Sequence, residues 1–259
     1  NNFLNEFSNY KNNHSDFKIK KIGNIDIQIN ENLKTISINK NNGSGRVIFF
    51  DGALKDWAIN FKDNMKFNNF KIKERRDKNS LTGCINFIDI YVKNLSITTN
   101  NASCEDAINF IRSKGDISNI TSNNSKGDAL DADFSKLKFN SIVINNSLND
   151  CIDFSHGEYE LGTIRLNNCG DKALSVGENS NVKAKDFKAT NVNIGIAAKD
   201  FSMVKVDKSI IDGSKTCYES YNKKQEFSGA YLLVNDSKCK NSEQESYKDN
   251  FSIIKYGDL

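Results

Sequence analysis

Proline is absent from the 259 residues, where average usage would supply about a dozen. Asn, Lys and Ile are abundant, a pattern of AT-rich coding, so the Asn count alone carries no information. Histidine occurs only as His14 and His156, which argues against a multi-His metal site or a His-based triad. The six cysteines (Cys84, Cys104, Cys151, Cys169, Cys217 and Cys239) include no CxxC spacing, which sets zinc aside. The longest apolar runs, VIFF at 47–50 and YLLV at 231–234, fall far short of the ~18 residues of a membrane-spanning helix. Neither sign of charge dominates. A formal charge of +3 removes the simple electrostatic case for nucleic acid or an anionic membrane as partner. The opening NNFLNEF has neither Met nor a basic-then-apolar leader, as expected of a mature exported form or a trimmed chain.

What the chain does contain is a repeat. The phrase small, Ile/Leu, polar, apolar begins at Ala58, Cys84, Ala107, Ala129, Cys151, Ala173, Gly195 and, less closely, Cys217, with separations of 26, 23 and then 22 throughout. Within each unit the apolar residues alternate with period two, which identifies strands. Ile152 and Phe154 belong to a first strand, Tyr159 and Leu161 to a second, Ile164 and Leu166 to a third. Such strands cannot bury an apolar face singly and do so by stacking coil on coil. A second column supports the period. Asn100–Asn101, Asn123–Asn124, Asn145–Asn146 and Asn167–Asn168 recur at one offset, and Asn tolerates the left-handed backbone of a tight corner while its amides bond along a ladder.

This repeat resembles that of the right-handed parallel β-helix proteins of the pectate-lyase-like superfamily, over roughly residues 47–240. The resemblance implies an all-β solenoid of about eight to nine coils with three strands each. Residues 1–46 would form an N-terminal cap and irregular first coils, with a short cap helix carrying Phe3, Leu4, Phe7 and Tyr10. Residues 241–259 would supply a closing strand. The stretch GDKALSVGENSNV is more narrowly similar to bacterial β-helix regions that in some proteins accompany a spore-coat-H-like kinase domain. The fold itself hosts lyases, hydrolases, epimerases, tailspikes, adhesins and passive scaffolds, so activity must be read from a site.

Stacking places residues of one offset in a vertical ladder, ~4.8 Å per step. One outward column reads Asn60, Asn86, Asn109, Asp131, Asp153, Ser175, Ala197, Glu219, and another Asp106, Asp128, Asp150, Lys172. Asp131 and Asp153, one strand spacing apart, either share a proton, bind a cation or are relieved by Lys172. Catalysis would use Asp131, Asp153 and Lys172. Ligand contacts would come from Asp128, Asp150, Asn109, Ser175, His156 and Glu178, and calcium is the metal that Asp131 and Asp153 suggest.

Three chemistries suit this face: calcium-assisted β-elimination with Lys172 as base, glycoside hydrolysis by two carboxylates, or hydrogen bonding of sugar hydroxyls without reaction. The plainer reading is a solvated face on which Lys172 and Asp150 form an exposed ion pair. The Asn-Thr-Asp, Gly-His-Gly and Arg-Ile-Lys motifs of polygalacturonases are missing, and the Asp-Pro-His-Asp motif of alginate epimerases is impossible without proline. Trp57 reads as a cap on the first coil before it reads as a sugar platform. The cysteines read as buried thiols; in an exported protein Cys217 and Cys239, one coil apart, are the first pair to expect as a bridge. The leading expectation is an exported or cell-surface bacterial solenoid that binds polysaccharide, with no nucleic-acid partner and no membrane span. An assembly module of a surface layer or phage spike, self-associating through its edges, is the third class.

Overall fold

The computed structural model describes residues 16–64 and 75–257. Its strands are β1 (Phe17–Asn30), β2 (Thr35–Lys55), β3 (Ala58–Asp63), β4 (Gly83–Ile88), β5 (Tyr91–Asn100), β6 (Asp106–Ile111), β7 (Lys114–Ser125) and β8 (Asp128–Asp133). They continue as β9 (Lys136–Ser147), β10 (Ile152–Ser155), β11 (Glu158–Gly177), β12 (Asn181–Lys199), β13 (Met203–Tyr221), β14 (Tyr231–Lys240), β15 (Gln244–Lys248) and β16 (Ile253–Tyr256). All pair in parallel except β1, which lies antiparallel on β2 as an opening hairpin. The result is a parallel β-solenoid of about ten turns, slightly more than the eight to nine expected. β16 closes the far end beside β14. The expected cap helix and His14 lie outside the described residues. Among those residues no helix is long and apolar enough to cross a membrane.

Each coil crosses three sheets, and its inward residues form columns through the core. In the first sheet Phe49, Phe87 and Phe110 stack face to face, with ring centroids 5.2 and 4.4 Å apart. The next residue in that column is Ala132. The space it leaves is taken by Phe139 from the second sheet, which meets Phe110 edge-on and stacks on Phe154 at 5.7 Å. Burial of each such ring contributes about 1.5–3 kcal/mol, and Phe139 offsets the small Ala132 in the volume that the core must fill. Trp57 is buried against Phe17, edge to face at 5.4 Å, and packs at the start of the core.

The Asn ladder is present in both columns. Asn123 donates to Asn100 and Asn145 to Asn123, while Asn124 donates to Asn101, Asn146 to Asn124 and Asn168 to Asn146, at 2.8–3.2 Å. The outer member of each pair has the left-handed backbone of the corner, with φ from 56 to 62°.

Two expectations are corrected. The cysteines are not thiols: Cys84–Cys104, Cys151–Cys169 and Cys217–Cys239 are disulfides, and the last is the pair expected. Their Cα atoms lie 5.3–6.0 Å apart, because one circuit of the solenoid returns the chain about one strand spacing above its start. Such bonds persist in oxidising compartments. The phrase AINF at Ala58 does not belong to the first sheet. β3 pairs residues 35–40 of β2 and residues 96–100 of β5 in the third sheet, and the rung below Asn86 is Ile48. The separation of 26 between Ala58 and Cys84 therefore spans two different sheets and does not measure the insertion that precedes Cys84.

Candidate ligand-binding face

The outward column of the first sheet runs Asn86, Asn109, Asp131, Asp153, Ser175, Ala197, Glu219 in strict register. Asn60 is replaced at its base by Ile48. Ile48, Phe50, Leu81 and Ile88 form a small apolar cluster there, so the face grades from apolar to acidic, with Lys172 and Lys199 set among the acids of the later coils. It is not the solvated surface that alternation implied. Asn109 and Ser175 are buried, and Asp131 and Asp153 only half-exposed.

The second column is built into the backbone. The Asp128 Oδ1 accepts the N–H of Asp150 at 2.8 Å and the Asn149 amide at 2.7 Å, and the Asp150 Oδ1 accepts the N–H of Lys172 at 2.8 Å. Each carboxylate thus binds the chain one coil above. Next to it the Asn109 amide donates to Thr82 Oγ1 at 2.9 Å, Asp106 Oδ2 at 3.0 Å and Asp131 Oδ2 at 3.1 Å, which ties the acidic columns together.

Crowding and burial alter the titration of these groups. Burial, followed by the charge of Asp150, pushes Asp128 up to about 9. Burial is also the main cause for Asp106, pushed up to about 7, and for Asp133 and Asp150, each pushed up to about 6. Burial and then Asp106 hold Asp131 well above the usual carboxylate range. Several of these acids are therefore protonated near neutral pH.

Two lysines face the cluster from the later coils. Lys172 pairs with Asp171 and lies 3.7 Å from Asp150 Oδ1. Burial works to lower its pKa, but Asp150 and Asp171 outweigh it and raise the value. This pair is not the exposed one expected: the Lys172 side chain is 11% exposed and that of Asp150 6%. Lys199, also buried, donates to Ser175 Oγ at 2.7 Å and stands 3.9 Å from Asp153 Oδ1, an oxygen with no hydrogen bond among the described residues.

The remaining candidates lie at the rim. Glu178 receives hydrogen bonds from Ser155 and Lys224, the latter 2.5 Å away. Although burial opposes it, these two partners hold Glu178 below its usual value. His156 is exposed on the corner beyond Ser155, outside the carboxylate cluster. Arg165 faces the third sheet, paired with Asp186.

Asp133 and Asp171 join the cluster although the repeat phrase did not single them out. A third outward column, Ile111, Asp133, Ser155, Gly177, was available at the next alternate position of the same repeat. Asp131 and Asp153 do not fit the calcium expectation. Among the described residues no three acidic, His or Cys side chains converge on one point, which leaves too few carboxylates to anchor the oxygen shell that calcium takes. Comparison with family models, curated proteins and solved structures gave no match.

Proposed function

We propose that the chain is an exported or cell-surface bacterial solenoid, related to the pectate-lyase-like β-helix proteins, that binds polysaccharide along the first-sheet face. The supporting observation is the pair Asp131 and Asp153, half-buried on adjacent rungs and flanked by Lys172 and Lys199. Acids held protonated donate as well as accept hydrogen bonds, which suits the paired donor and acceptor character of sugar hydroxyls. Successive rungs offer this chemistry at one strand spacing to an extended chain. A glycan array probed with the intact protein tests the reading: binding without turnover, lost in Asp131→Ala, supports it, and the absence of any hit counts against it.

A second reading, glycoside hydrolysis, is favoured by the coexistence of protonated and ionisable carboxyls. Asp133 and Asp150 near 6 have the titration of a general acid. Reducing-end release abolished by Asp153→Asn would establish it. β-Elimination is disfavoured, because Asp150 and Asp171 keep Lys172 charged and a charged amine cannot take a proton.

A further inference from the structure

The left-handed residues of the solenoid form several columns, two of them long. One is the Asn corner already described, where the residue type suits the backbone. The other runs Asp89, Arg112, Phe134, His156, Glu178, with φ between 49 and 52°. A left-handed Phe is a steric outlier, and nothing in the corner's own hydrogen bonding calls for an aromatic ring. Phe134 is nevertheless 58% exposed. Its ring stacks on His156, also exposed, at 4.5 Å and 17°, and Phe227 meets His156 edge-on at 6.2 Å. Phe201 is also left-handed and exposed, so what sets Phe134 apart is its stack on His156 at the edge of a depression, an exposed aromatic surface of the kind that a ligand's ring can cover.

The pair borders a depression of about 370 Å³ that also contains Lys114, Lys136 and Glu158. It adjoins two more on the outer face of the second sheet, of about 350 Å³ each, which add Lys138, Lys183 and Glu160. The three share lining residues and form a continuous trough from the aromatic corner across the strands. Lys114 and Lys136 are direct partners in the ladder, an arrangement of like charges that destabilises a sheet. Lys136 has Glu158 at 2.7 Å, whereas Lys114 and Lys138 have no ion-pair partner among the described residues. The near-zero net charge of the chain thus conceals a segregation: acids crowd the first sheet and lysines the second.

We infer that this trough is a second binding site, separate from the acidic face, for an acidic saccharide whose ring packs on Phe134 and His156 and whose anionic groups meet Lys114, Lys136 and Lys138. The interspersed Glu158 and Glu160 accept hydroxyl donors, which sugars have and a phosphate backbone lacks. They also repel the dense phosphates of nucleic acid, whose affinity depends on many uncompensated lysines.

The test is calorimetric titration of the intact protein with an oligogalacturonate, a neutral oligosaccharide of the same length and a DNA duplex. The variants are Phe134→Asn, which suits the left-handed corner, and Lys114→Ala/Lys138→Ala, with thermal melts confirming that both fold. Selective binding of the oligogalacturonate, weakened at least tenfold in each variant and by added salt, is the expected result. Binding unchanged in both variants but lost in Asp131→Ala would assign the saccharide to the acidic face, overturning this inference while leaving the proposed function standing. Tighter binding of DNA, equal binding of the neutral sugar or no binding at all also overturns it.

Discussion

Asp131 and Asp153 are Cα partners on adjacent first-sheet rungs, and beside them Asp128 is held protonated by burial and then by the charges of Asp150 and Asp106 in its own column and of Asp153 in the next. The folded protein therefore binds protons that the unfolded chain, with ordinary carboxylates near ~3.9, has already released. The sign follows from linkage. Wherever the native state holds more protons, stability falls as pH rises. Asp128, Asp106, Asp133 and Asp150, raised to about 9, 7, 6 and 6, place this loss between roughly pH 4 and 9. The melting temperature is expected to be higher at pH 5 than at pH 8.5. Asp128→Asn keeps the acceptor for Asp150 and Asn149 but cannot ionise, so it should stabilise the protein at pH 8 by on the order of 1 kcal/mol or more and flatten the slope. An unchanged slope in Asp128→Asn would remove Asp128 as its source.

The three disulfides each close a single circuit, with separations of 20, 18 and 22 residues. Loops of this size restrict the unfolded chain by about 3 kcal/mol each. Cys151→Ala/Cys169→Ala is expected to lose roughly that amount in denaturant unfolding without changing the strand signal in circular dichroism. Loss of the folded baseline would instead show that the solenoid cannot form without this bridge.

Asn124 has φ 61°, donates to Asn101 and accepts from Asn146. Asn124→Ala loses both bonds and places a Cβ in the left-handed region without local compensation, for a cost of about 2–3 kcal/mol. Asn124→Gly loses the bonds but keeps the corner, and is expected to cost less. Equal losses in urea unfolding would assign the whole effect to the hydrogen bonds.

The columns from Asn86 to Glu219 were legible because a 22-residue period allows no slippage once strands are assigned. Ala58 was not, because every sheet of a solenoid alternates apolar and polar residues and a four-residue phrase does not say which sheet carries it. Burial of the outward face was invisible for a different reason. It comes from side chains that cross coils, as when Lys199 reaches back to Ser175, and from the insertion that carries Thr82 over Asn109. The lysine trough was hidden because composition sums charges that the three sheets keep apart.

Lys199 and Asp153 provide a test of how the acidic face is held together. The Lys199 ammonium is buried, bonded to Ser175 and 3.9 Å from an Asp153 oxygen that has no hydrogen bond among the described residues. Removing one member of such a pair leaves the other uncompensated beside Asp131 and Asp133, a loss of 3–5 kcal/mol in a fully buried setting. Asp153 is half-exposed, so solvent screening reduces the expected cost of Lys199→Met to about 1–2 kcal/mol at pH 8. Asp153→Asn in the same background removes the stranded charge and should recover most of that loss, a coupling of about 1 kcal/mol in a double-mutant cycle. Additive effects would mean that Lys199 is held by Ser175 alone and is not coupled to Asp153.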